Sequence, residues 1–264
     1  MTGSSTLHAW FLAAGTLWRR EVVRFLRQRS RVIGALLTPV VFWLLIGSGL
    51  GSSFRLPGQT TEVDYLEYFF PGTTMLIVLF TAIFATISVI EDRREGFLQA
   101  VLAAPVARSA IVMGKVMGST TLALVQAMAF LLLAPLAGVP ISALSLLAAG
   151  GLLTVSAVGL SALGLLIAWR MDSTQGFHAI MNLFLIPMWL LSGALFPAAG
   201  ASVWVRWLVA VNPLTYGVAG LRHALYADTA MLADLPPLGL CIAVTAGFAL
   251  AMSALVTKAV TREA

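Results

Sequence analysis

The sequence predicts an all-α membrane protein with six transmembrane helices, and three observations carry that reading. From Val116 to Trp169 the chain runs 54 residues without an Asp, Glu, Lys, Arg or His. A water-soluble domain has nothing with which to hydrate such a surface. Overall, 59% of residues are hydrophobic and only 10% are charged, far below the ~25% charged residues of soluble proteins. The basic residues, finally, collect in alternate loops between the apolar segments.

A single crossing of a ~30 Å hydrocarbon core takes about 20 residues. The long uncharged run is therefore two crossings, broken at Ala134-Pro135-Leu136-Ala137-Gly138-Val139-Pro140. Four other apolar segments complete a single transmembrane domain over residues 1–264. The spans fall at about 33–53, 69–90, 113–135, 141–169, 177–197 and 236–257. The fourth is long enough to tilt.

Thirteen basic residues lie on one side: Arg19, Arg20, Arg24, Arg27, Arg29, Arg31, Arg93, Arg94, Arg108, Lys115, Arg170, Lys258 and Arg262. Three lie on the other: Arg55, Arg206 and Arg222. The richer side is the cytoplasm, so both termini are cytoplasmic. The net charge of +5 and pI near 10 follow from that distribution and do not imply nucleic acid. Met1 to Leu17 lacks the leading positive charge of a signal peptide, which leaves insertion to the first span. The single cysteine, Cys241, excludes an intrachain disulfide and a cysteine metal cluster. No metal site is read from the sequence.

Residues 8–31 form an amphipathic helix. Phe11, Ala14, Trp18, Val22 and Phe25 recur at three- and four-residue steps, with Arg20, Arg24, Arg27 and Arg31 on another face. Such a helix lies in the interface, apolar side down and arginines at the headgroups. A plain basic leader is the simpler alternative.

The spans carry one titratable group at membrane depth, His178, close to a cytoplasmic end. A hydrogen-bonded interfacial histidine is the bland reading and a proton relay the sharp one. The chain also lacks a phosphate-binding loop. Around Gly114-Lys115 the first glycine position is Ser109 and the hydroxyl position is Val116, so that dipeptide reads as chance. Any transport is then driven from outside this polypeptide.

The loop 91–112 is the most structured polar region. Glu91, Asp92, Arg93, Arg94 and Glu95 precede Gly96; Leu98, Val101 and Leu102 share a helical face; Pro105 closes the run. That face needs a partner, either the bilayer surface or another protein. On the opposite side, residues 200–228 are neither a clean loop nor a full span. Trp204 and Trp207 precede Asn212-Pro213, an N-cap followed by a first-turn proline. Tyr216 suits the interface, and Arg222 closes the uncharged stretch that Arg206 opens.

Three motifs resemble one family in order along the chain. Glu95-Gly96 with Ala104-Pro105-Val106 and Gly114-Lys115-Val116 is similar to the first cytoplasmic loop of ABC transporter permeases of the type-2 export family. Pro187-Met188-Trp189-Leu190-Leu191-Ser192-Gly193-Ala194-Leu195-Phe196-Pro197 resembles their fifth span. Asn212-Pro213-Leu214-Thr215-Tyr216 with Leu221-Arg222 resembles the loop before their last helix. The resemblance implies a membrane subunit of an exporter for amphiphilic, lipid-linked or drug-like cargo. It implies two copies of a separate ABC ATPase subunit, which hold the ATP and Mg. It implies a second permease, identical or paralogous. Residues 95–102 become a coupling helix, flanked by Glu91, Arg93 and Arg94, and residues 200–228 a re-entrant outer gate with Asn212, Pro213, Tyr216 and Arg222. The chain itself binds no cofactor under this reading.

Two other classes compete. A non-transporting assembly subunit has the same sequence features. An intramembrane serine protease would need Ser161 or Ser192 within reach of His178.

Overall fold

The computed structural model describes residues 3–51, 64–197, 200–226, 230–232 and 234–262. Arg55, the Pro57-Gly58 pair, whose composition signals a turn, and Asp228 lie outside them. Among the described residues every regular element is helical. In chain order these are α1 (Gly3–Arg27), α2 (Arg29–Leu50), α3 (Tyr65–Ala85), α4 (Ile87–Arg94), α5 (Phe97–Ala103) and α6 (Arg108–Leu131). There follow α7 (Ala143–Trp169), α8 (Thr174–Leu190), α9 (Val203–Val211), α10 (Pro213–Leu225) and α11 (Leu238–Arg262).

Five of these helices are long and apolar enough to cross a membrane: Val32–Leu50, Tyr65–Arg94, Arg108–Leu131, Ala143–Trp169 and Leu238–Arg262. The sixth expected crossing, 177–197, differs. Its helix, α8, has 17 residues, about 25 Å at 1.5 Å per residue, and contains Pro187. Beyond Leu190 the chain turns: the Ser192 hydroxyl donates to Trp189 O at 2.6 Å and Gly193 takes φ +76°. The Ser192-Gly193 pair thus ends a helix that hydrophobicity alone extends to Pro197.

Helix α3 is the centre of the bundle. Met75, Ile77, Val78, Leu79, Ala82 and Ile83 are all fully buried, the mark of a helix apolar on every side and covered all round. It packs against α2, α6, α7, α8 and α10. Phe70 stacks on Phe130 of α6 at 4.8 Å, and Trp43 of α2 meets both rings edge-on at 5.5 and 5.6 Å. Trp43 Nε1 donates to Leu66 O at 2.9 Å, so the indole is buried with its polar edge satisfied.

The break between α6 and α7 is the expected one, a 3-10 turn over Ala134–Ala137. Ser142 then caps α7, its Oγ accepting from Ser145 N while Ser145 Oγ accepts from Ser142 N, a reciprocal capping box. Small residues set the spacing between helices, as the lack of a hydrophobic drive inside lipid requires. A Cβ at Gly159 of α7 would stand 2.7 Å from the Phe248 ring and 3.1 Å from Ala249 Cα of α11.

Helix α1, expected as an amphipathic helix in the membrane interface, is held against the bundle. It runs along α6 and buries Ala14, Leu17, Glu21 and Phe25. The crossing is close because Gly114 and Gly118 sit one turn apart on α6. A Cβ at Gly114 would fall 2.7 Å from Leu17 Cβ and 2.8 Å from Ala14 O; one at Gly118 would fall 2.7 Å from Glu21 Cβ. Trp10 and Trp18 add indole hydrogen bonds to Ser109 and Thr121 at 2.9 and 3.0 Å. The aromatic stripe is therefore shared: Phe25 is buried against the bundle, whereas Phe11 is exposed.

Gly114→Leu should separate α1 from α6 and cost about 1–3 kcal/mol, the usual penalty of overpacking. Thermal unfolding of purified protein in detergent checks this. Gly15→Ala, where a Cβ meets nothing within 4 Å, should not lower the midpoint.

Candidate functional site

At the end of the bundle where α1, α4, α5 and α6 meet, charged side chains enter the protein interior. Lys115 lies two turns into α6 and is 4% exposed. Its Nζ donates to Glu21 of α1, to Asp92 of α4 and to Ser88 Oγ at 3.4 Å. Asp92 is fully buried. It also accepts the fork of Arg20, Nη1 to Oδ2 at 2.9 Å and Nη2 to Oδ1 at 2.6 Å, and Arg24 Nη1 at 2.8 Å. Arg24 extends through Nη2 to Glu91 at 2.8 Å and to Glu95 at 3.6 Å. Burial opposes the Arg20 charge, but the bond to Asp92 and the fields of Asp92, Glu21 and Glu95 outweigh it and raise the arginine's pKa. Three cations from two helices thus surround carboxylates from two helices, and each buried charge has a partner.

The local sequence explains the convergence. Arg20, Glu21 and Arg24 fall on one side of α1 at helical spacing. Glu91, Asp92 and Glu95 do the same at the end of α4. Gly118, lacking a side chain, lets Glu21 slide past α6 toward Lys115.

The short helix α5 hangs from this cluster. Gly96 takes φ +79°, the left-handed geometry that lets α4 stop and α5 start at an angle. Arg20 stacks its guanidinium 3.7 Å over the Phe97 ring. Leu98, 3% exposed, packs with Val89, Val112, Val116 and Trp169, and Leu102 leans on the same cluster. The partner that the Leu98 face requires is thus the chain's own bundle. Glu95, Gln99, Ala100, Ala103, Ala104 and Pro105 remain exposed.

A second tie runs from α4 to the turn between α7 and α8. Arg93 donates to Trp169 O, to Met171 O at 3.1 Å and to the Asp172 carboxylate at 3.0 Å. Arg94 Nε donates to Asp172 O at 2.9 Å. The Trp169 carbonyl ends α7, where orphan carbonyls and the helix dipole favour a cation.

At the far end, Asn212 caps α10 through Leu214 N at 3.0 Å and donates to Met188 O of α8 at 2.6 Å. Pro213 occupies the first turn of α10. Tyr216 OH and Thr215 Oγ1 donate back to Ala210 O and Val209 O at 2.8 and 2.7 Å, closing an α9–α10 hairpin against α8. Arg222 is 3% exposed. It donates to Gly193 O at 2.9 Å and lies 4.1 Å over the Tyr68 ring.

Arg20 and Arg24, read as headgroup ligands, spend their guanidinium groups on Asp92 and Glu91. Arg222, expected in a re-entrant outer gate, is buried and braces the turn after α8 from inside. The sequence reading missed Glu21 and Asp92 as site residues and took Lys115 for one more topological charge. The available signal was Gly114-x-x-x-Gly118 flanking the lysine, with an acid at helical spacing between two arginines on α1. As for a protease, Ser161 Oγ pairs with Thr120 at 3.5 Å and Ser192 with Trp189 O, while His178 packs on the Phe84 ring at 4.8 Å. No Ser–His pair forms among these three. Among the described residues no group of His, Cys, Asp or Glu could hold a metal ion.

Residues 13–226 match the family model of the ABC-2 type transporter. The chain belongs to the ABC-2 type transporter family. Its relatives include nodulation protein J of Rhizobium leguminosarum bv. viciae, 26% identical over 83% of this chain and 85% of that protein. The putative transport permease ycf38 of Cyanophora paradoxa is 24% identical over 82% and 74%. The inner membrane transport permease YadH of Escherichia coli K12 is 23% identical over 82% and 84%. The match begins within α1 and ends just after α10, so α1, the ionic cluster, α5 and the α9–α10 hairpin all belong to the family domain.

Removing one partner of a buried ion pair strands the other and costs about 3–5 kcal/mol. Lys115→Met should therefore destabilise strongly, and Glu21→Gln added to it should recover part of the loss. A double-mutant cycle on unfolding midpoints measures the coupling; strict additivity would contradict direct pairing.

Proposed function

We propose that this chain is the membrane-spanning subunit of an ATP-driven exporter whose ATPase is a separate polypeptide. One observation carries the reading: the short helix α5, half exposed, is carried on the end of α4, and that end of α4 is wired by charge to two different parts of the bundle. Through Asp92, α4 is joined to Arg20 and Arg24 of α1 and to Lys115 of α6, and Arg20 also covers Phe97 of α5. Through Arg93 and Arg94 its base is joined to the turn between α7 and α8. A push on α5 therefore moves several helices at once, because buried ion pairs resist separation.

In this mechanism two ATPase subunits, holding ATP and Mg, dock on the α5 ends of two permease copies. Closure of the ATPases drives the α5 helices, α1 moves with them through the cluster, and the spans rock. Glu95, Gln99, Ala100, Ala103 and Pro105 form the docking face, and Leu98 is its anchor within the bundle. Helix α8 serves as the sixth, shorter crossing. The α9–α10 hairpin is a re-entrant gate, with Asn212 and Tyr216 holding its shape and Arg222 fixing it to the turn after α8. The end carrying α5 faces the cytoplasm, which places both termini there and follows the thirteen-to-three distribution of basic residues. Among the cargoes implied, an amphiphilic or lipid-linked molecule fits an apolar bundle with no charged side chain along most of α7 and α8.

Two experiments test this. Arg94→Glu together with Glu95→Lys should lower co-purification of the ATPase at least tenfold while the protein still inserts, and raised salt should weaken the wild-type complex as well. Unchanged co-purification would remove α5 as the docking element. A periplasmic reporter fused after Arg94 should be silent and one fused after Gly200 active; the reverse pattern would invert the orientation.

A further inference from the structure

One cavity of the molecule is lined by no residue of the ionic cluster or of α5. It has a volume of about 800 Å³ and runs between α7 and α11, closed at the top by the end of α10. That volume is in the range of small-molecule pockets, ~300–1,000 Å³. The two helices touch tightly at Gly159, where the Phe248 ring fills the space a side chain would take. Toward the far end they part. Ala148, Gly151, Leu152 and Val155 line one wall and Ile242 and Thr245 the other. A Cβ at Gly151 would meet nothing within 4 Å, so missing side-chain volume on α7 creates the groove.

Its chemistry is one-sided. Among the described residues no Asp, Glu, Lys or Arg lines it. The hydroxyls present are spent on backbone: Thr245 Oγ1 donates to Cys241 O at 2.7 Å and Ser145 Oγ to Ser142 O at 2.9 Å. The walls therefore present as hydrocarbon. At the far end stand two polar groups, the Tyr226 hydroxyl, which donates to Glu67 O at 2.8 Å, and His223, whose Nε2 lies 2.9 Å from Pro236 O. From Ser142 to Val155 the groove follows α7 for about 20 Å at 1.5 Å per residue, somewhat more than half of a ~30 Å hydrocarbon core. It is continuous with surface that faces lipid in a spanning helix bundle: Leu144 and Leu147 of α7 are 77% and 74% exposed, and Ile242 of α11 is 49% exposed.

We infer that this groove holds one acyl chain of a bilayer phospholipid from the leaflet opposite α5, with the headgroup at His223. A polar rim at one end, uncharged walls and one-leaflet length match a single hydrocarbon chain hung from an interfacial headgroup. The inference rests on the chain spanning a bilayer and is independent of the transport reading.

The test is native mass spectrometry of the purified full chain in detergent, titrated with phosphatidylethanolamine. Wild type should retain one lipid per chain, and lysophosphatidylethanolamine, with its single chain, should displace it. Gly151→Leu and Ala148→Leu, which fill the groove from a helix that favours leucine, should each lower the bound fraction at least fivefold. Gly247→Leu, on an exposed stretch of α11 where a Cβ also meets nothing, should not. Thermal unfolding reports that each variant is folded. Equal retention by all four proteins would overturn the assignment, as would an absence of lipid on wild type. A change of oligomeric state in Gly151→Leu without a change in lipid count would assign the groove to a second copy of the chain and equally overturn it.

Discussion

A lysine keeps its charge inside a protein only when carboxylates replace the water it has lost, and Lys115 meets that condition by drawing in two other helices. Glu21 must come from α1 and Asp92 from α4, because α6 offers no acid of its own. The pairing in turn dictates the rest of that end of the molecule. Asp92, fully buried, needs more than one cation nearby and receives the Arg20 fork and Arg24. Those arginines are already on α1, so the helix that could have lain loose on a membrane is held to the bundle. The glycines of α6 make this geometrically feasible, since a side chain at Gly114 or Gly118 would hold α1 too far away for Glu21 to reach.

The two ends of the bundle solve the same electrostatic problem by different means. Near α5, cations meet carboxylates, an arrangement that is strong, directional and composed of side chains from several helices. At the far end, Arg222 is buried against the Gly193 carbonyl and the Tyr68 ring, so neutral dipoles and a π face carry the stabilisation. Arg93 does a third version of the job by collecting the carbonyls at the end of α7. In each case the cation stops a helix or a turn from drifting, and in none does a charge stand unpaired in the apolar middle. The long uncharged run through α7 remains free to be shaped by glycine and alanine alone.

Much of this architecture was legible in the sequence, because hydrophobic length and charge position are properties of single segments. The break at Pro135–Pro140 and the cap at Asn212 follow from local chemistry. The length of α8 did not, since the hydroxyl of Ser192 and the turn at Gly193 cut short an apolar pattern that continues to Pro197. The ionic cluster was less legible still. It is assembled from Glu21, Asp92 and Lys115, residues that are 71 and 23 positions apart in the chain, and no periodicity links them. A basic residue at a span entrance has an ordinary topological explanation, which concealed a structural one. The same holds for Leu98, whose helical spacing showed that its face needed a partner but not that the partner was Val112 and Trp169 of its own bundle.

That internal use of Leu98 bears on how α5 can act. If the apolar face of the short helix were spent on an outside protein, α5 would leave the bundle when that protein left, and force would not be transmitted in its absence or on its return. With Leu98 and Phe97 committed inward and Glu95, Gln99 and Ala103 outward, α5 keeps its place whether or not anything binds it. The outward face is then polar and small, suited to a contact that forms and slides rather than one that locks. The inward face, with Phe97 under the Arg20 guanidinium and Leu98 in the apolar cluster of Val89, Val112 and Trp169, is apolar and tight. The left-handed Gly96 lies between α4 and α5 and lets the short helix take its own direction, while Arg20 on Phe97 and Arg24 on Glu95 stop it from swinging independently of α1. These contacts hold α5 from the α1 side and from the bundle core at once.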